Sequence, residues 1–467
     1  MRPISILVLI TAFALSPATA QRAVPDTPEQ VMLSFAPLVR EASPAVVNVF
    51  TRKSVRIRGP ASPLFNDPFF WRFFGNMLGP AQPRERFENS LGSGVIVRPD
   101  GLIVTNFHVI EGADSITVVL SDRREFEATI LREDERTDLV ILKIDAGNEM
   151  LPHIALSDSD ELEVGDLVLA IGNPFGVGKT VTSGIVSGLA RTQVGISDFN
   201  FFIQTDAAIN PGNSGGALLR MDGTLAGINT AIFSRSGGSQ GIGFAIPSNM
   251  VRTVIEGAAA GEALRRAWIG AAFETVTADI AEAIGLPRPE GVILSDIHPS
   301  GPAAKAGLQS GDIITAINGQ PVFDTEGLRF RVATGVVGQE ASLLIRRPRD
   351  ELEVALTLEH PPEDPPRDER VLEGRHPIAG ATVANLSPAV AEEMGRNHFE
   401  EGVVISSIAR GSPAHRLSFQ VGDVIFAVNE IEIETVAHIR ELTLNKRPQW
   451  NITVRRDGWL FSLTVAG

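Results

Sequence analysis

The chain of 467 residues contains no cysteine. Thiol nucleophiles, disulfide staples and cysteine-ligated metals are therefore excluded, and each domain has to be held by core burial alone. Tyrosine is also absent. Positive charge is scarce: 41 Lys and Arg stand against 56 Asp and Glu, a formal net charge of −15. No Lys/Arg run offsets this balance, so the basic footprint that a nucleic acid needs is missing. Beyond the first 20 residues no stretch approaches membrane-spanning length. At 43% hydrophobic and 21% charged the chain is too apolar for wholesale disorder, and its length suggests roughly two to four domains.

What is present begins with "MRPISILVLITAFALSPATAQ". One Arg, an apolar run from Ile4 to Leu15 and the Ala18-Thr19-Ala20 triplet have the layout of a secretory signal peptide cleaved after Ala20. A membrane anchor or a buried strand is the alternative. From about Ser43 the text turns to short Val/Ile-rich runs separated by turn residues, such as "GSGVIVRPDGLIVTNFHV", "SITVVLSD", "DLVILKID" and "TLAGINTAIF". Many closely spaced strands with few helical patterns predict an all-β barrel or sandwich over residues 21–256. Residues 59–86 interrupt it with a Pro/Phe-rich segment. That segment reads as a flexible loop. Its six aromatics are costly to leave in water, so packing on another subunit or over a cleft is the second reading.

The C-terminal half repeats itself. "EGVILSDI" (290–297) recurs as "EGVVISSI" (401–408), and "GPAAKAGLQSGDIITAIN" (301–318) as "SPAHRLSFQVGDVIFAVN" (412–429). Both blocks recur at one and the same offset, which predicts two copies of a small domain at 260–358 and 377–467. The Pro-rich, charged stretch 359–376 between them reads as a linker.

Chemistry concentrates in "INPGNSGGALL" (209–219). Three glycines, Gly212, Gly215 and Gly216, surround Ser214, and glycine at such density marks a sharp turn or a close approach. A serine hydroxyl is a poor nucleophile until a base takes its proton and an acceptor orients that base. "VTNFHVI" supplies His108 just after a strand, and "ERTDLVILKI" supplies Asp138 at the edge of an apolar one. The chain order His, Asp, Ser is that of chymotrypsin-type triads. Each residue alone also fits an ordinary surface or core role; Asp138 stands in the charge run "REDERTD". His153, His298, His360, His376, His398 and His415 lack any such setting. Backbone amides of Gly212 and Ser214 are the candidate oxyanion donors. "GNPFGVGKT" (172–180) resembles a phosphate-binding loop, but its spacing fails and a strand-like run follows. No nucleotide, metal or other cofactor is expected.

"TNFHVI", "TDLVILK" and "NPGNSGGALL", in this order and followed by two repeats, resemble the HtrA family of exported serine proteases. The resemblance covers essentially the whole mature chain. It implies a chymotrypsin-like double β-barrel followed by two PDZ domains, each an α+β, partly open barrel. It implies His108 as base, Asp138 as orienter and Ser214 as nucleophile. "TAIFS" (Thr230, Ala231, Ile232, Phe233, Ser234) matches the substrate-lining strand, with Asn213 beside it. Ile209 and Ile232 are expected to shape a small apolar pocket. Arg191 stands where the family's regulatory loop carries a sensing arginine; a solvated loop charge is the other reading. The loop before the first repeat, Trp268, Ile269, Gly270 and Ala271 in "AWIGA", is expected to hold a peptide's terminal carboxylate on its amides. "IAGAT" (378–382) is the weaker match in the second copy, which also has Ser418 and Glu430 in place of Gly307 and Gly319. The implied activity is ATP-independent endoproteolysis of unfolded or damaged envelope proteins in the periplasm, within stress-related protein quality control. Implied partners are unfolded polypeptides, peptide C-termini and further copies of the chain, as a trimer or its multiples. A holdase chaperone, a PDZ scaffold with secondary proteolysis, or a site-specific signalling protease are the competing readings.

Overall fold

The computed structural model of the chain describes residues 34–55, 86–173, 178–191, 201–210, 212–232, 240–260, 266–347, 350–444, 447–456 and 458–466. The expected export signal, almost all of segment 59–86, and Phe233 and Ser234 lie outside these residues. Among the described residues no helix is long and apolar enough to cross a membrane.

Helix α1 (Ala36–Ala42) leads into twelve strands that close into two six-stranded barrels. The first contains β1 (Val46–Val55), β2 (Arg86–Arg98), β3 (Leu102–Thr105), β4 (Ser115–Val119), β5 (Glu125–Asp134) and β6 (Leu139–Ile144), in the order β1-β2-β3-β6-β5-β4. The second contains β7 (Leu167–Gly172), β8 (Thr180–Arg191), β9 (Phe202–Thr205), β10 (Ala217–Arg220), β11 (Leu225–Ile232) and β12 (Gly243–Pro247), in the order β10-β11-β12-β9-β8-β7. Closure removes sheet edges, and a barrel this small is filled by its own side chains. Strand period decides which core each residue joins. In β7, Val168 and Ala170 enter the second barrel's core, while Leu169 and Ile171 join the larger cluster shared with the first barrel. The two barrels thus meet through one continuous apolar contact. Helix α2 (Phe107–Ile110) is a single turn after β3, and α3 (Ser248–Ala260) buries Met250, Val251 and Val254 in the shared cluster.

Two similar domains follow. The first has β13 (Ala271–Thr275), β14 (Val292–Ile297), β15 (Ile313–Ile317), β16 (Gln320–Pro321), β17 (Glu340–Arg346) and β18 (Glu351–Thr357), with β13 outermost in the order β13-β14-β15-β17-β18. Its helices are α4 (Ala278–Ile284), α5 (Pro302–Lys305) and α6 (Thr325–Ala333). Asp324 starts α6 by accepting from the Gly327 amide. The second has β19 (Arg370–Val371), β20 (Ala381–Asn385), β21 (Val403–Ile408), β22 (Val424–Val428), β23 (Ile431–Glu432), β24 (Gln449–Arg456) and β25 (Trp459–Ala466). The helices are α7 (Pro388–Glu393), α8 (Pro413–Arg416) and α9 (Val436–Leu444), and the sheet order is β19-β20-β21-β22-β24-β25.

The copies keep their backbone where their sequences part. Gly307 and Gly319 sit at φ +76° and +75°; their counterparts Ser418 and Glu430 sit at +62° and +68°. The second copy therefore accepts left-handed strain of about 1–2 kcal/mol per residue rather than rebuild its turns. The loops match one residue earlier than "IAGAT" suggests. Ala303 donates to Ile269 as Ala414 does to Ala379, and His298 to Gly270 as Ala409 does to Gly380. Gly380 is thus the partner of Gly270, and the second copy carries one extra residue before β21. Residues 370–372 are also not linker: two of them form β19 and Leu372 is buried at 2%.

His376, in the turn after Leu372, is 5% exposed and lies 6.0 Å from the Trp450 ring, centroid to centroid. Burial pushes its imidazole below the ordinary histidine value, against a raising hydrogen bond to the Glu373 carbonyl. Such a group stabilises the fold above the unfolded value of about 6.5, and that stability is lost as pH falls below it toward the folded value. Thermal unfolding followed through the buried Trp450 should show a midpoint that drops between about pH 7.5 and 5.5. In His376→Phe that slope should disappear.

The first repeat domain rests on the second barrel. Phe330 of α6 stacks on Phe201 with centroids 3.9 Å apart and planes 10° apart, and Arg331 reaches Asp160 at 3.5 Å.

Candidate active site

The crevice between the barrels gathers the three residues that the motifs single out. Asp138 follows a short turn and precedes β6, whose LVILKI run anchors it in the core. It adopts φ +56°, ψ +37°, a left-handed conformation uncommon for a non-glycine residue. Its main-chain carbonyl accepts from the Phe107 amide (3.1 Å) and from Asn106 Nδ2 (3.0 Å). These bonds pin α2 and with it His108. Asp138 is 6% exposed. It accepts from the His108 amide at 3.0 Å, lies 2.8 Å from His108 Nδ1 through Oδ2, and accepts from Thr230 Oγ1 at 2.6 Å. A carboxylate so placed fixes the tautomer with the proton on Nδ1 and leaves Nε2 as the lone-pair nitrogen.

Ser214 comes from the other barrel. Its Oγ donates to the Thr230 carbonyl at 3.1 Å, not to His108. Thr230 therefore bridges the pair: its carbonyl holds the serine and its hydroxyl holds the aspartate. It was expected to line substrate; instead it is 3% exposed and faces inward. Asn213 likewise turns in, fully buried, with its Oδ1 against Gly172. Ile209 is 1% exposed in the second barrel's core, where it packs on Gly243. The backbones of Ala231 and Ile232 extend β11 along β12, and their side chains lie outside the described residues. Arg191 ends β8, and its side chain is outside them too.

The glycines can now be read. A Cβ on Gly215, at φ +80°, would stand 2.0 Å from the Ser93 carbonyl and 2.4 Å from Thr105 Oγ1. One on Gly216 would stand 2.3 Å from the Ile171 carbonyl. Gly212 takes φ +96° and turns its carbonyl to Ser93 Oγ at 2.6 Å. Ser93 is a residue that the motifs did not flag. It is fully buried, its amide donates to the Ser214 carbonyl at 2.9 Å, and its hydroxyl accepts from the Asn173 amide at 2.8 Å. A small residue between two glycines in "LGSGV" is the only sequence hint. With both carbonyls drawn inward, the Gly212 and Ser214 amides have no acceptor among the described residues. They are two unspent donors beside the Ser214 hydroxyl. Gly215→Ala should therefore destabilise the protease domain by at least about 3 kcal/mol, read by chemical denaturation, and remove activity with it. The string that resembles a phosphate loop follows β7 and leads into strand β8, where a phosphate loop would lead into a helix.

A second concavity lies in the first repeat domain. It has a volume of about 490 Å³ and runs between β13 and α6, with Gly395–Phe399 of the second repeat closing one side. The Ile269 and Gly270 amides have no acceptor among the described residues, and Gly270 sits at φ +75°. Trp268 is 4% exposed. Its Nε1 donates to His398 Nδ1 at 2.8 Å, so the His398 proton is on Nε2, which donates to Glu392 at 2.6 Å. Glu392 pairs with Arg136 at 3.0 Å, two residues from Asp138. Burial would raise the Glu392 carboxyl, but His398 and Arg136 hold it down at about 2.

The family model of the trypsin-like peptidase domain matches residues 92–228, and two PDZ-domain models match residues 293–347 and 378–466. The chain is 40% identical over 449 residues to the periplasmic pH-dependent serine endoprotease DegQ of Escherichia coli (strain K12), covering 94% of both chains. It is 36% identical over 476 residues to the periplasmic serine endoprotease DegP of the same strain, covering 97% of this chain and 96% of that one. Among solved structures, the HtrA-type protease AlgW with a decapeptide aligns with a TM-score of 0.51 at 44% identity, covering 71% of this chain and 99% of that chain.

Proposed function

This chain belongs to the DegP and DegQ family of serine endoproteases, and from that premise we propose how its residues divide the work. The carrying observation is the 2.8 Å contact of Asp138 with His108 Nδ1, joined through Thr230 to the Ser214 hydroxyl. In this reading Ser214 is the nucleophile, His108 the base and Asp138 the orienter. The hydroxyl leaves the Thr230 carbonyl for His108 Nε2 and gives up its proton there as Oγ attacks the scissile carbonyl. Negative charge develops on the carbonyl oxygen, and the Gly212 and Ser214 amides receive it, each worth roughly 3 kcal/mol. His108 then protonates the leaving amine, which departs and leaves an acyl-enzyme. A water molecule gives its proton to His108, attacks the ester, and releases the new carboxylate and the free serine.

Substrate preference follows from the same parts. A peptide has to lie extended along the β11 backbone to present its carbonyl. A folded protein seldom offers such a segment; an unfolded one offers many. A small aliphatic side chain is the one expected before the scissile bond. Like the relatives named periplasmic, the protein acts in the periplasm; in this reading it does so after export, on unfolded polypeptides, with no nucleotide and as an oligomer built on trimers. The open amides of Ile269 and Gly270 receive the terminal carboxylate of a peptide in the first PDZ groove.

Cleavage of one disulfide-bonded protein in its native and its reduced, unfolded form tests the substrate class. The reduced form should be cut and the native form spared. Equal cutting of both would overturn the preference for unfolded chains.

A further inference from the structure

The two PDZ domains share a backbone but not the state of their grooves. In the first, the outer edge of β13 faces the 490 Å³ cavity, and the Ile269 and Gly270 amides have no acceptor among the described residues. In the second, the same edge is occupied. Strand β19 runs antiparallel along β20, with Arg370 opposite Val383 and Val371 opposite Thr382. The Leu372 amide donates to the Ala381 carbonyl at 2.8 Å, and the Gly380 amide donates to the Leu372 carbonyl at 2.8 Å. Further back, the Asn385 amide donates to the Arg367 carbonyl at 2.8 Å and its Nδ2 to that of Pro366 at 2.7 Å. The Leu372 side chain joins the domain's core, in one cluster with Ile378, Val383, Val436 and Ile439.

A peptide held by a PDZ domain is an added antiparallel strand, its last apolar side chain in a pocket and its carboxylate on loop amides. Residues 366–372 meet each of these terms, and their direction is right, since they run toward the start of β20. We propose that the segment Pro366–Leu372 is a built-in peptide ligand of the second PDZ domain. Leu372 takes the place of a ligand's terminal side chain, and its carbonyl takes the place of the terminal carboxylate on Gly380. The groove is a peptide site for chains ending in an apolar residue, and this protein fills it from within.

Tethering makes the occupancy firm. A covalently linked ligand acts at an effective concentration on the order of millimolar, which excludes a free peptide present at micromolar levels. The neighbouring Ala379 amide is spent as well, on the His376 carbonyl at 3.1 Å. External peptides therefore go to the first domain until the segment is displaced. The inference stands on the second PDZ domain and is independent of the role given to Ser214.

The test uses the full chain carrying Ser214→Ala, so that the probe survives, and a decapeptide ending in a free leucine carboxylate with a photoreactive group upstream. Cross-linked segments are mapped by mass spectrometry. With Leu372 in place, labelling should fall on residues 266–275 and 325–333. Leu372→Ser should add labelling on 378–385 and 436–444, about tenfold or more above the parent chain. Equal labelling of both domains with Leu372 in place would overturn the proposal. So would an unlabelled second domain in Leu372→Ser whose Trp450 signal shows it folded. If Leu372→Ser does not fold, hydrogen exchange of the parent chain decides. The Leu372 and Gly380 amides should be strongly protected, and exchange at unprotected rates would overturn the proposal.

Discussion

Ser214→Ala should lower kcat by about 10⁶, as removal of the nucleophile does in such triads, while peptide binding to the first PDZ domain stays unchanged. The asymmetry follows from the geometry. The hydroxyl donates to the Thr230 carbonyl, and a methyl in its place leaves that carbonyl, the Asp138–His108 pair and the two free amides where they are. What disappears is the atom proposed to form the acyl-enzyme. Residual turnover would come from amides and positioning alone. Single-turnover cleavage of an unfolded substrate, paired with a peptide titration, separates the two effects. A loss smaller than about tenfold would take Ser214 out of the mechanism.

Asp138→Asn should come next, with a loss of about 10⁴ in kcat and little change in fold. The carboxylate accepts three donors: the His108 amide, His108 Nδ1–H and Thr230 Oγ–H. A carboxamide of the same shape accepts on one atom only, and its NH₂ group must face a former donor. When it faces the ring, it donates to Nδ1 and moves the proton to Nε2. The imidazole then presents a hydrogen where the serine needs a lone pair. It also loses the negative charge that steadies the imidazolium. The pH–rate profile, measured where circular dichroism shows the variant folded, distinguishes this from a folding defect. A variant that retains more than about a tenth of the activity would refute the orienting role.

How much of this could be read from the text depends on where the information lies. Val/Ile runs broken by turn residues lead directly to barrels, because a strand buried on both sides needs little but apolar residues. The repeat was legible because Gly-Asp and Asn recur at fixed spacing, and the glycines around Ser214 because nothing with a Cβ fits at 215 or 216. Ser93 was not legible: its hydroxyl matters only because β2 passes behind the Ser214 loop, a tertiary fact. Thr230 was placed along the substrate by the resemblance of "TAIFS" to the family's substrate-lining strand, and a match of text does not reveal the register shift between Asn229 and Ala231. Strand β19 is two residues inside a Pro-rich, charged stretch, and composition favours linker there. One leucine, Leu372, carries the packing, and a single apolar residue leaves no periodic trace.

The division of the site between two closed barrels has a consequence for the enzyme's own biogenesis. On the proposed assignment the first barrel delivers the acid–base pair and the second delivers the hydroxyl and the amides. Neither half, folded by itself, can cut a peptide bond. A chain still folding is, on that assignment, harmless to itself and to its neighbours. Hydrolytic power then requires both halves docked, with the long-range bonds from Ser93 closed.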